Sequence, residues 1–108
     1  MSATIGHFVD GVALEGNSGR HGDVYNPSTG EVIHKVALAT ADETCEAIRS
    51  ASEALPAWAA TPPAKRAQVL FSFRNLLISH LDELAGLLSL EHGKTIDDAK
   101  GSLTRGLE

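Results

Sequence analysis

The sequence has 108 residues and one cysteine, Cys45. A lone thiol closes no internal disulfide and fits a reducing compartment. No apolar run approaches the roughly 20 residues needed to span a bilayer. The N-terminus lacks a basic start followed by an apolar stretch, so no secretory signal is read there. Asn26-Pro27-Ser28 is not a glycosylation acceptor, because proline occupies its middle position. There is also no excess of basic charge. Residues 1–60 carry 3 basic and 8 acidic side chains, and residues 61–108 carry 6 of each. Neither part is a basic patch, which argues against nucleic acid and anionic membrane as partners. The five histidines show no metal-ligand spacing, no His-Glu-x-x-His is present, and no metal site is expected. Internal repeats and low-complexity segments are absent. What remains is ordinary globular material, 43% hydrophobic and 21% charged, long enough for one domain or part of one, with a cytoplasmic address.

The present residues fall into an N-terminal arm of strands and turns, 1–39, and a helical segment, 40–108. His7-Phe8-Val9 and Val12-Ala13-Leu14 flank Asp10-Gly11, a two-residue hairpin signal because glycine accepts positive φ. Asp23-Val24-Tyr25 is a short extended piece, and Pro27 pushes the residue before it away from helix. Ser28-Thr29-Gly30 completes a turn, and Glu31 to Leu38 alternates like a strand.

Four helices are predicted after residue 40. The first is capped by Thr40 with Glu43 three residues on, a capping box. Its apolar stripe is Ala41, Cys45, Ile48 and Leu55, and Pro56 ends or bends it before Trp58. The second follows Thr61-Pro62-Pro63, with Thr61 as cap. Val69, Leu70, Phe73, Leu76 and Leu77 form its main stripe, with Phe71 and Ile78 nearly opposite, so cover is expected on two sides. The third, about 81–92, turns Leu81, Leu84, Leu87 and Leu88 inward and stops at Gly93. The fourth is capped by Thr95, has Ile96, Ala99, Leu103 and Leu107 as its apolar stripe, and carries Arg105 on its far side near Asp98, Gly101 and Ser102. Two glycines inside it, Gly101 and Gly106, each cost roughly 1 kcal/mol relative to alanine. It has no C-terminal stop signal.

Two stretches carry a family likeness. Asn26-Pro27-Ser28-Thr29-Gly30-Glu31-Val32 is one. The run Glu91-His92-Gly93-Lys94-Thr95, continued by Gly101-Ser102-Leu103-Thr104-Arg105-Gly106-Leu107-Glu108, is the other. Pro56-Ala57-Trp58, Arg66-Ala67 and Leu70-Phe71-Ser72-Phe73 add support. On these residues the chain resembles the opening of an aldehyde dehydrogenase, from His7 to Glu108, and within that superfamily the CoA-acylating methylmalonate-semialdehyde branch. The resemblance implies an α+β segment of an α/β enzyme: a hairpin and strands, then about four helices, forming an N-terminal part of the NAD-binding domain.

It also implies a reaction for the complete enzyme. A cysteine thiolate attacks the semialdehyde, hydride passes to NAD, and the acyl group leaves on coenzyme A with loss of carbon dioxide. Methylmalonate and malonate semialdehyde would give propionyl-CoA and acetyl-CoA, with NADH. The complete enzyme would be a homo-oligomer, a tetramer. The nucleophile, the base, the oxyanion-hole asparagine and the cofactor loop are expected after residue 108, so the isolated chain is expected to be inactive and to hold no cofactor.

Arg105 is the single candidate substrate-binding residue. By periodicity alone it reads as a solvated helix residue. The resemblance implies instead that it holds the substrate carboxylate, a task suited to a planar guanidinium that never loses its charge. Cys45, on an apolar stripe, reads as a buried structural residue and not a nucleophile. His80 reads as hydrogen-bonded and partly buried. Trp58 and Phe71 read as core. Gly93-Lys94-Thr95 looks like the end of a phosphate loop but lacks a glycine five residues earlier and a preceding strand, so a helix C-cap with a basic neighbour explains it better. Two alternatives stay open: a non-catalytic helical interaction module, suggested by the two-sided second helix, and a segment of another aldehyde dehydrogenase branch.

Overall fold

The computed structural model describes residues 3–108. Five strands precede four helices, the mixed α+β order that the sequence predicts. The residues pack as two compact units. One contains the residues up to Tyr25 together with Glu31–Ala60, and the other contains Asn26–Gly30 together with Thr61–Glu108.

The first unit holds the strands β1 (Ala3–Ile5), β2 (His7–Val9), β3 (Val12–Leu14), β4 (His21–Tyr25) and β5 (Val32–Ala37), and the helix α1 (Ala41–Ala60). β2 and β3 pair antiparallel with Val9 opposite Val12. Their connection places Asp10 at φ 52° and Gly11 at φ 75°. Positive φ at both central residues gives a turn whose twist matches that of the strands, which explains why Asp-Gly stands there. β4 lies antiparallel to β5, with a register shift between Val24 and Tyr25. β1 lies on the other side of β5 and runs parallel to it, Ala3 opposite His34. No local sequence signal announces β1. A three-residue strand takes its stability from a partner some thirty residues away, which periodicity cannot see.

The capping box of α1 forms as its sequence demands. The Glu43 backbone N–H donates to Thr40 Oγ1 at 3.1 Å, and the Thr40 N–H donates to Glu43 Oε2 at 2.8 Å. The second carboxylate oxygen accepts the Asn17 N–H at 2.7 Å, so one side chain caps the helix and pins the preceding loop. Both backbone donors hold the Glu43 carboxyl below the usual carboxylate range, with Thr40 the larger influence. Arg49 grips Glu46 and Glu53 along the helix and keeps the Glu46 carboxyl low as well.

Two expectations for α1 fail. Pro56 does not end the helix, which runs to Ala60 with Trp58 inside it. Only one backbone bond is lost at a proline, and here it lies on an exposed stretch where water replaces it. The apolar stripe is also uncovered. Cys45 is exposed, Ile48 and Leu55 are largely exposed, and Trp58 keeps 43% of its surface. The amphipathic pattern is real, but no described residue supplies the facing surface.

The second unit holds the turn 26–30 and the helices α2 (Pro63–Ser79), α3 (Leu81–His92) and α4 (Ile96–Leu107). In the turn, Asn26 Oδ1 accepts the Ser28 N–H and the Asn26 carbonyl accepts the Gly30 N–H. α2 begins one residue later than its sequence suggests: Pro62, not Thr61, is the N-cap, and its carbonyl receives the Lys65 and Arg66 N–H groups. α3 and α4 pack against each other, and the fully buried Ala85 and Ala99 lie on this pair. Lys100 of α4 reaches Asp82 of α3 at 2.6 Å, which raises the lysine's pKa.

α2 does not gain the two-sided cover expected of it. Val69, Leu70, Phe73 and Leu76 on one face and Phe71 and Ile78 on the other are all exposed, Phe71 at 65%. Leu87 of α3 is exposed in the same way. His80 is hydrogen-bonded through Nδ1 to Glu83 at 3.0 Å but is exposed and not part of a core. Four helices and a small sheet offer too little surface to bury both sides of a 17-residue helix.

Candidate functional site

The segment from Ser89 to Arg105 is built to hold charged groups in fixed places. α3 stops at Gly93, whose N–H donates to the Ser89 carbonyl at 2.8 Å. Gly93 takes φ 82°, and a Cβ built on it would stand 2.8 Å from the Pro27 ring. Left-handed backbone and close approach both call for glycine here. Lys94 follows. Its carbonyl accepts the Ser89 hydroxyl at 2.7 Å, which ties it back onto α3. Thr95 then caps α4, with Oγ1 accepting the Asp98 N–H at 3.2 Å. Asp97 and Asp98 in the first turn complement the positive end of the helix.

Arg105 lies in the last turn of α4 and is exposed. Its Nη2 donates to Ser102 Oγ at 3.3 Å, one turn back along the helix. The same Ser102 oxygen accepts from Lys94 Nζ at 2.7 Å. One hydroxyl therefore gathers two cations. Among the described residues neither cation forms an ion pair with a carboxylate, whereas the neighbouring Lys100 does, with Asp82. The arrangement can accept an anion, and a planar guanidinium favours a carboxylate. Lys94 and Ser102 had no signal of this role in the sequence beyond lying eight residues apart across a cap.

The other candidates fall elsewhere. Cys45 is on α1, a free and exposed thiol. Two open clefts of about 760 Å³ each flank the hairpin in the first unit. Neither is lined by Arg105. The more apolar one also carries Asp42, Glu43 and Glu46, which would repel a carboxylate. Gly93-Lys94-Thr95 follows a helix and backs onto Pro27, so it opens no phosphate cradle at a strand end. Among the described residues no three His, Cys, Asp or Glu side chains come together to hold a metal ion, and no helix is long and apolar enough to cross a membrane.

Comparison with known proteins covers nearly the whole chain. Residues 14–108 match the aldehyde dehydrogenase family. A malonate-semialdehyde dehydrogenase of Pseudomonas aeruginosa is 51% identical over 105 residues, which is 97% of this chain and 21% of that protein. A malonate-semialdehyde dehydrogenase of Geobacillus kaustophilus is 41% identical, over 97% of this chain and 22% of that protein. Among solved structures, a Sinorhizobium meliloti methylmalonate-semialdehyde dehydrogenase complexed with NAD superposes with a TM-score of 0.96 at 51% identity, over 99% of this chain and 22% of that one. The chain thus spans about a fifth of the length of the relatives it matches.

Proposed function

The chain belongs to the aldehyde dehydrogenase family, and we propose that it is the N-terminal part of an NAD-dependent, CoA-acylating (methyl)malonate-semialdehyde dehydrogenase. In this reading the complete enzyme is a cytoplasmic homo-oligomer that converts methylmalonate or malonate semialdehyde to propionyl-CoA or acetyl-CoA, NADH and carbon dioxide. NAD would accept the hydride and coenzyme A the acyl group. This chain's own task is substrate selection: Arg105 holds the carboxylate that distinguishes a semialdehyde acid from a neutral aldehyde.

One observation carries the reading. Arg105 stands free of any carboxylate among the described residues, tethered only at Ser102, in a chain 51% identical to a malonate-semialdehyde dehydrogenase. A cation that meets no carboxylate among the described residues is open to an anion brought from outside. The carboxylate of a short oxo acid is such an anion, and the guanidinium can receive both of its oxygens at once.

The test is an exchange enzyme, in which these 108 residues replace the matching fifth of the Pseudomonas aeruginosa relative. It should form acetyl-CoA and NADH from malonate semialdehyde. Arg105→Leu should then raise KM for malonate semialdehyde about 10- to 100-fold, the worth of a charge-assisted hydrogen bond. An unchanged KM would remove Arg105 from the substrate site.

A second reading, a non-catalytic helical interaction module, is favoured only by the exposed Phe71 and Ile78 faces of α2. The remaining four-fifths of a relative's length offers the same surface a partner within one polypeptide. An exchange enzyme without aldehyde oxidation, beside a 108-residue chain that associates as concentration rises in gel filtration, would favour the module.

A further inference from the structure

We propose that Lys94, Ser102 and Arg105 form one composite carboxylate site, in which Lys94 is a second ligand beside Arg105 and Ser102 sets their spacing. The proposal rests on the reading of Arg105 above and adds to it the residue that recognises the other side of the anion. The substrate class it fits is a short oxo acid, with the carboxylate at one end and the reacting carbonyl at the other.

Like charges repel, and Lys94 Nζ and Arg105 Nη2 lie no further apart than the sum of their two contacts to Ser102, at 2.7 and 3.3 Å. Among the described residues no carboxylate compensates either of them. A bound anion between the two would turn that repulsion into attraction. A lysine just past a helix end can complement the negative C-terminal end of α3. The Lys94 ammonium does not go there. Among the described residues the one hydrogen bond it makes is to the Ser102 side chain on α4.

Ser102 is arranged for the same task. Its oxygen accepts from both cations. Thr104, on the same helix, donates its hydroxyl back to the Lys100 carbonyl at 2.9 Å, whereas Ser102 donates to no protein group among the described residues. Its proton is left to point at a ligand, a third donor between two cations. Gly101 leaves the flank of the guanidinium bare: a Cβ there would come to 3.9 Å from Nη1.

Lys94 is also held in place in a way that a freely solvated lysine is not. Its residue is half-buried, its carbonyl is fixed by Ser89, and it sits between a left-handed glycine and a helix cap. A site whose ligands are fixed before the substrate arrives binds with less loss of side-chain freedom.

The experiment compares KM and kcat of the exchange enzyme for malonate semialdehyde and for propanal, which lacks the carboxylate. Lys94→Met should raise KM for malonate semialdehyde roughly tenfold and leave KM for propanal within about twofold. Lys94→Arg, which keeps the charge, should restore most of the loss. Ser102→Ala should raise KM for the acid by about threefold, since one neutral donor and the spacing are lost. Equal changes for both substrates would show a merely structural lysine and overturn the proposal. If Lys94→Met is silent while Arg105→Leu still raises KM for the acid, Lys94 is no ligand, and the Arg105 reading survives. If both are silent, both fail. Should Lys94→Met not fold, Lys94→Gln keeps a donor for Ser102 without the charge, and the same comparison of substrates decides.

Discussion

Gly93 sets the angle at which α3 hands over to α4, and its replacement tests how rigidly the cation segment is held. At φ 82° it occupies the left-handed region, and an added Cβ would stand 2.8 Å from Pro27 Cγ and 3.5 Å from Cβ. Left-handed backbone costs an ordinary residue roughly 1–2 kcal/mol. Overlap with a proline ring, which cannot rotate away, adds about 1–3 kcal/mol. Gly93→Ala should therefore destabilise the unit by about 2–5 kcal/mol. For a chain of this size each kcal/mol moves the melting temperature by about 4–8 °C, so the midpoint should fall by at least about 8 °C. Thermal melting by circular dichroism of the 108-residue chain provides the measurement, with Pro27→Ala and the double variant alongside. The clash is shared by the two residues, while the backbone penalty belongs to Gly93 alone. The double variant should therefore recover about 1–3 kcal/mol relative to the sum of the single effects. A Gly93→Ala melting point within about 2 °C of the parent would refute the close approach, and a strictly additive double variant would refute the part played by Pro27.

Acid should weaken the first unit through Glu43. Its folded pKa lies below the ordinary carboxylate value because the Thr40 and Asn17 N–H groups bind the ionised form. That contribution is present above the ordinary value and is lost as pH falls through the lowered folded one. Glu43→Gln should flatten the acid limb of a melting-point-against-pH curve, and an identical limb would contradict the capping box. Thr40→Ala should destabilise α1 by about 1 kcal/mol at neutral pH, measured by urea unfolding, with no change expected only if the cap is idle. Cys45 is exposed, so the folded 108-residue chain should react with a thiol reagent without denaturant, and a thiol that reacts only after unfolding would place it in a core.

Local chemistry was the legible part of the sequence. The Asp10-Gly11 turn, the Thr40 and Thr95 caps and the Gly93 stop depend on a few adjacent residues, and each formed as read. What depends on distant partners was not. β1 is a strand only because β5 offers an edge. Pro56 reads as a breaker from its own chemistry, yet the flanking turns of α1 outweigh one lost hydrogen bond. Periodicity correctly found the apolar stripes of α1 and α2, but a stripe says which face wants cover and not whether the cover is at hand. Cys45, Trp58 and Phe71 are exposed for that reason. At the site, helical spacing put Arg105 near Ser102. Lys94 joins them only because the Gly93 turn folds its stem toward α4, a consequence of backbone geometry that no spacing rule contains.

The most direct measurement is a crystal structure of the exchange enzyme with malonate, a stable stand-in for the semialdehyde acid. One malonate carboxylate should lie on the Arg105 guanidinium, with Lys94 Nζ and Ser102 Oγ on its other side. Malonate bound elsewhere, with Arg105 turned to solvent or paired to a protein carboxylate, would contradict the assignment of this chain to substrate selection.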